Sequence, residues 1–212
     1  MCGIAGIIYA DANGGRDVGR DMTRMLQSMK HRGPDSTGYA LFGPQSQGYV
    51  MRFTLADAND PRDFEFDDRI QRHRFLVEQR LRKLGAHVHE IEEETDYAYR
   101  VTFEYDGDLK QLADLVEDVP NAEVLSLGHA LEIIKDLGDA ESVATQYDLD
   151  GFRGTHAIGH VRMATESDVD ISGAHPYWAY PFNDVAVDHN GNTKPTALHF
   201  TAGQQEFLAM VG

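Results

Sequence analysis

The only cysteine of this chain, Cys2, stands directly behind Met1 and at the head of an apolar run, Gly3-Ile4-Ala5-Gly6-Ile7-Ile8. One cysteine excludes an internal disulfide and a multi-cysteine zinc site, so a packed core has to hold the fold together. The run itself fits a buried strand, in which Gly3 and Gly6 let other backbone approach closely. Removal of Met1 would turn Cys2 into a terminal cysteine that carries its own base. An α-amino group titrates near ~8 and a thiol near ~8.5, so the amine can take the thiol proton around neutral pH without help from a histidine. Cys2 is therefore a candidate nucleophile, and a small buried thiol is the plainer alternative.

With 212 residues, 42% hydrophobic and 25% charged, the chain can bury one substantial core and a small second one, which suggests one domain with an insertion. No stretch resembles an apolar signal region or a membrane span, and the cytoplasm is the expected location. A net charge of −16 argues against nonspecific binding to nucleic acid or to anionic lipid, since both need a basic surface. Aspartate outnumbers glutamate, and only five of the nineteen basic residues are lysine. Such a surface repels itself in dilute salt and is relieved by screening, which points to a salt-loving source; an ordinary acidic cytosolic protein is the alternative.

The chain leaves its first strand through Asp11-Ala12-Asn13-Gly14-Gly15, a turn composition. Val18, Met22, Met25, Leu26 and Met29 then recur at helical spacing and read as the core-facing stripe of an amphipathic helix. Gly33 and Pro34 end it before a second strand towards Leu41. From residue 51 to residue 150 strand-like and helix-like segments alternate, with strands at 51–56, 86–91, 97–105 and 122–127 and helices at 67–84, 108–119 and 128–137. This pattern suits a two-layer α/β unit of ferredoxin-like or small regulatory ligand-binding type. Within it, His87 and His89 would share one face of a strand, but no third metal ligand is identifiable beside them, and packed or exposed histidines are the ordinary outcome. Glu90 to Glu94 reads as a solvated strand end. Further strands are expected at 155–160 and 184–188.

Four stretches, taken in order, are more specific. Met1-Cys2-Gly3-Ile4-Ala5-Gly6, His31-Arg32-Gly33-Pro34-Asp35-Ser36-Thr37-Gly38, Gly159-His160-Val161-Arg162-Met163-Ala164-Thr165 and His189-Asn190-Gly191 together resemble the signature of class II glutamine amidotransferases. Among these the chain looks most like the stand-alone subunits related to archaeal glutamate synthase. The resemblance implies an α+β fold of the N-terminal-nucleophile hydrolase type, a four-layer αββα sandwich built from residues 1–50 and 151–212, with residues 51–150 inserted as a small α/β subdomain.

It also implies residue roles. Cys2 would be the nucleophile, with the Asn190 side-chain amide and the Gly191 N–H as oxyanion hole. Arg162 would clamp the α-carboxylate of glutamine with its planar fork, and Thr165 would be a polar contact to the substrate. Arg32 and Asp35 would support the nucleophile from beside it. No cofactor and no metal is implied. The partners would be glutamine and a synthase chain that receives ammonia, since nothing in the sequence resembles the domain that consumes it. After Gly191 the pattern departs from the family: the tail from Asn192 to Gly212 holds Glu206 as its only acid, so the second sheet is expected to be incomplete. An ammonia-producing subunit, a truncated or inactive relative that acts as a partner-binding or regulatory subunit, and an unrelated N-terminal-cysteine amidase all remain compatible with these residues.

Overall fold

The apolar run behind Cys2 forms strand β1 (Gly3–Ile8) in the computed structural model, which describes residues 2–10, 15–164 and 170–189. The chain continues through α1 (Val18–Ser28), β2 (Ser36–Phe42), β3 (Tyr49–Thr54), α2 (Phe66–Lys83), β4 (His87–Glu93), β5 (Ala98–Glu104) and α3 (Leu109–Glu117). It then forms β6 (Glu123–Gly128), β7 (Leu131–Leu137), α4 (Ala140–Gln146), β8 (His156–Arg162) and the short pair β9 (Tyr177–Trp178) and β10 (Ala186–Val187). The fold is mixed α+β. Of the turn expected at 11–15, only Gly15, at φ +72°, falls within the described residues.

Two four-stranded antiparallel sheets carry the architecture. The first has the order β1-β8-β2-β7 and the second the order β4-β5-β3-β6. In the first, β1 pairs with β8 from Gly3 opposite Val161 to Ile8 opposite His156, and β2 pairs with β8 on its other side. Helix α1 lays Val18, Met22 and Leu26, all fully buried, against this sheet, as their spacing predicts; Met25 and Met29 are only half-buried. Helix α4 packs beside α1. It is short, and the side chain of Asp139 caps it by accepting from the Ser142 N–H at 3.0 Å.

The second sheet follows the alternating pattern of residues 51–127. The run β3-α2-β4-β5-α3-β6 is a βαββαβ unit with β3 and β5 at its centre, which is the ferredoxin-like arrangement. Ile70, Val77 and Leu81 of α2 and Leu112, Ala113 and Val116 of α3 bury one side of each helix. The Asp108 side chain caps α3 by accepting from the Lys110 N–H at 2.8 Å.

The helix expected at 128–137 is instead the strand β7, paired along its whole length with β2. Its sequence, Leu-Glu-Ile-Ile-Lys-Asp-Leu, lacks alternation because both of its faces are buried. Its charged side chains are paired rather than solvated. Glu132 accepts from Arg52 Nε at 2.8 Å and Arg100 Nε at 2.9 Å, and Lys135 reaches Glu123 and the Ala174 carbonyl. Arg52 also pairs with Glu94, and Arg100 with Glu92. This ion network joins β7 of the first sheet to β3, β4 and β5 of the second and lines one side of a cleft of about 920 Å³. Burial pushes the Glu132 carboxyl up, but the two guanidinium groups outweigh it and hold it below the usual carboxylate range.

The two faces of the first sheet are covered differently. Ala157, Gly159 and Val161 of β8 face the helices, since a Cβ on Gly159 would stand 2.8 Å from the Leu26 side chain. His156, Ile158, His160 and Arg162 therefore face the other way. Over β2 and β7 the segment 171–189 covers that second face, so closely that a Cβ on Gly38 would lie 1.8 Å from the His175 carbonyl oxygen. On β1 the same face presents Ile4 and Ile8, which are 42% and 81% exposed among the described residues.

Candidate active site

Cys2 sits at the open end of this second face, where β1 begins and β8 ends. Its Sγ accepts from the Met163 N–H at 3.4 Å and also lies 3.8 Å from the Met163 carbonyl oxygen. The nucleophile candidate is thus held against the residue that follows Arg162. Two side chains of the 31–36 loop fasten the two strand ends together. Arg32 donates from Nε to the Cys2 carbonyl at 3.2 Å, and Asp35 accepts from the Ala164 N–H at 2.7 Å. The Asp35 N–H in turn donates to the Arg162 carbonyl at 3.1 Å. Between them Gly33 crosses the end of β8 so closely that a Cβ there would stand 2.4 Å from the Val161 carbonyl carbon and oxygen. Backbone cannot yield as a flexible side-chain tip can, so the position admits only glycine without a shift of β8.

Arg162, nearly buried at 10% side-chain exposure, donates from Nη1 to the main-chain oxygen of Asp170 at 3.0 Å and lies 3.4 Å from its carboxylate. The same carboxylate accepts from the Gly173 N–H at 2.8 Å. Asp170 thereby fixes where the guanidinium points, through a turn whose geometry its own side chain closes.

Farther along the same face lies a buried cluster of His160, His175 and Asp188, with His189 against it. The His160 and His175 rings are 4.9 Å apart, and His175 and His189 meet edge to face at 4.9 Å. Desolvation lowers both buried imidazoles to about 4, each opposed or assisted by its charged neighbours, and pushes the Asp188 carboxyl up to about 6 against the pull of His160 and His189. At neutral pH the two histidines are therefore uncharged. His175 Nδ1 accepts from the His189 N–H at 3.4 Å. That bond leaves no proton on Nδ1 for Asp188, whose carboxylate lies 3.4 Å away; the contact is close but is not a hydrogen bond in this tautomer. Both ring nitrogens of His160 and both carboxylate oxygens of Asp188 lack a hydrogen-bond partner among the described residues.

Of the residues singled out in the sequence, Cys2, Arg32, Asp35 and Arg162 come together at one end of the β1–β8 pair. Thr165, Asn190 and Gly191 lie outside the described residues, as does the tail 192–212. Sequence reading did not single out Asp170, His175 as a cluster member, or Asp188. Their partners are Arg162 and His160 on β8, and no local spacing signals a contact that forms only when segment 170–189 folds back.

No family model matches the chain. A Methanothermobacter thermautotrophicus protein named "Putative glutamine amidotransferase" is 36% identical over 196 residues, covering 90% of this chain and 61% of that protein. The Rhizobium meliloti "Glutamine amidotransferase-like protein GlxB" is 29% identical over 192 residues, covering 91% of this chain and 59% of the relative. The chain therefore spans about three fifths of the length of these curated relatives. Over nine tenths of its own length it is a homologue of proteins named for glutamine amidotransfer.

Proposed function

We propose that this chain is a class II glutamine amidotransferase of the N-terminal-nucleophile type, which releases ammonia from the side-chain amide of glutamine. The observation that carries this reading is the position of Cys2. The only thiol lies at the first ordered strand end, held by the Met163 N–H and stapled through Arg32 and Asp35 to the strand end that bears Arg162.

Once Met1 is removed, the α-amino group of Cys2 takes the thiol proton, and the thiolate attacks the amide carbon of glutamine. The resulting oxyanion is met by the Asn190 side-chain amide and the Gly191 N–H, donors that at about 2.7–3.1 Å are worth several kcal/mol to such a step. The α-ammonium gives its proton to the departing nitrogen, and ammonia leaves a thioester on Cys2. Water, deprotonated by the same amine, adds to the thioester; the C–S bond breaks and glutamate departs. Arg162 clamps the substrate α-carboxylate, Asp170 holds the guanidinium in place, and Thr165 adds a polar contact. Arg32 and Asp35 keep the nucleophile in register with Arg162.

The four-layer αββα sandwich is part of the same reading. The exposed Ile4 and Ile8 on β1 are what a sheet would show where a second sheet packs. Ammonia would pass to a synthase chain of the glutamate synthase kind, in the cytoplasm. The test is glutamine turnover by the purified chain: glutamate and ammonia in equal amounts support the reading, and Arg162→Lys is expected to raise KM for glutamine more than it lowers kcat. Hydrolysis of simple amides with no preference for glutamine would replace it with a general N-terminal-cysteine amidase.

A further inference from the structure

The second sheet carries a feature that glutamine hydrolysis does not use. His87 and His89 lie on its edge strand β4, and Glu104 lies on β5, with Glu104 directly opposite His87 in the register. The register slips between Val88 and Glu90, so His89 is the extra residue of a β-bulge. Bulges re-aim side chains. Here both imidazoles and the carboxylate converge: the donor atoms of all three lie within 4.8 Å of one another. His89 Nε2 is 3.4 Å from Glu104 Oε1, and the two rings stand edge to face at 4.8 Å.

The third ligand that cannot be identified along the sequence is thus supplied across the strand pair. We propose that His87, His89 and Glu104 form a binding site for a divalent first-row transition cation of the zinc class.

The convergence of three donors, where an ion pair needs two, points to coordination. Two donors each about 2.0–2.2 Å from a tetrahedral ion stand about 3.3–3.6 Å apart, and the His89–Glu104 pair already has that separation. His87 closes the remaining distance by rotation about its side chain, since all three residues are exposed and pay no packing cost to turn. Two imidazoles with one carboxylate select Zn²⁺, Ni²⁺, Co²⁺ or Cu²⁺ over Mg²⁺ and Ca²⁺, which take oxygen ligands. Glu90 and Glu93 on the same strand, together with the acidic surface as a whole, raise the local concentration of any cation.

Three protein ligands leave a fourth position open to water or to an outside donor. Because the ligands span the β4–β5 pair, a bound ion would rivet the bulged edge strand to its neighbour.

The site is tested by calorimetric titration of the metal-free full chain with Zn²⁺ and Ni²⁺, in a Cys2→Ala background that removes the competing thiol. One equivalent is expected to bind and to raise the melting temperature, while Mg²⁺ at the same concentration does neither. His87→Ala and His89→Ala should each weaken that equivalent by about tenfold or more, and Glu104→Gln by less. Circular dichroism checks that these surface variants remain folded, and the milder His87→Gln and His89→Gln replace any that does not. A chain that binds no Zn²⁺ or Ni²⁺, or a His87→Ala/His89→Ala double variant that binds with unchanged affinity and stoichiometry, would overturn the proposal.

Discussion

Two of the buried polar clusters among the described residues are built in opposite ways. Around Glu132, between the two sheets, each charged group touches one of opposite sign: Arg52 and Arg100 flank the carboxylate, and Glu94 and Glu92 take the far sides of the guanidinium groups. Around His160, on the face of the first sheet that leads to Cys2, imidazoles and a carboxylate are buried with polar atoms that no described residue satisfies. A closed network orients elements and is costly to break from one side. Unpaired titratable groups cost stability where they lie and collect where chemistry or ligand binding recovers the loss. The contrast assigns the first cluster to joining the sheets and the second to the neighbourhood of the site.

The largest effect is expected at Glu132. Glu132→Gln leaves Arg52 and Arg100 without their shared carboxylate in a buried place, and a loss of about 3–5 kcal/mol is expected by denaturant titration. A loss below about 1 kcal/mol would mean that the network is solvated and carries no structural weight.

Acid separates the clusters next. His160 and His175 titrate near ~6.5 when unfolded and at about 4 when folded. The unfolded chain therefore takes up their protons first, and stability present above pH ~6.5 is lost as pH falls towards 4. Asp188, raised to about 6, works in the opposite sense between that value and its ordinary one, so the net loss is about 4 kcal/mol. Glu132, held below the usual range, contributes stability present above its unfolded value near ~4.3 and lost only as pH falls further. Stability measured against pH should thus fall in two steps, and His160→Phe should shrink the upper step while leaving the lower one in place.

At the Cys2 end the test is steric. Gly33→Ala should cost about 1–3 kcal/mol, because β8 has to move away from the new methyl group. The same movement would loosen the Arg32 and Asp35 contacts and lower glutamine turnover further than stability alone explains. The smallest effect belongs to the surface. From low to molar potassium chloride the melting temperature should rise by about 2–4 °C, or about 1 kcal/mol, as screening relieves the net charge of −16.

Local pattern revealed the elements whose two sides differ. Helix α1 is legible in Val18, Met22 and Leu26, and the βαββαβ order of residues 49–128 is legible in its alternation. Strand β7 is not, because Glu132, Lys135 and Asp136 are all buried, and a charged residue in a strand core announces nothing until its partner is known. Helix α4 is short and rests on the small side chains Ala140, Val143 and Ala144, too few for a periodic signal. Cys2, Arg32, Asp35 and Arg162, the candidate site residues that the structure brings together, are singled out by ordered motifs rather than by spacing. The His160–His175–Asp188 cluster and the hold of Asp170 on Arg162 depend on a segment that returns to the sheet from elsewhere in the chain. Glu104, the partner of His87 and His89, is hidden for the same reason: it lies seventeen residues along the sequence and one strand away.

The central claim is that Cys2, freed of Met1, is the nucleophile. The most direct measurement is glutamate release from glutamine in high salt by the wild-type chain and by Cys2→Ala, with the N-terminal mass of each determined alongside. Turnover is expected from a wild-type chain that lacks Met1, and none from the folded variant. Equal turnover by the two, or full turnover by a chain that retains Met1, would contradict it.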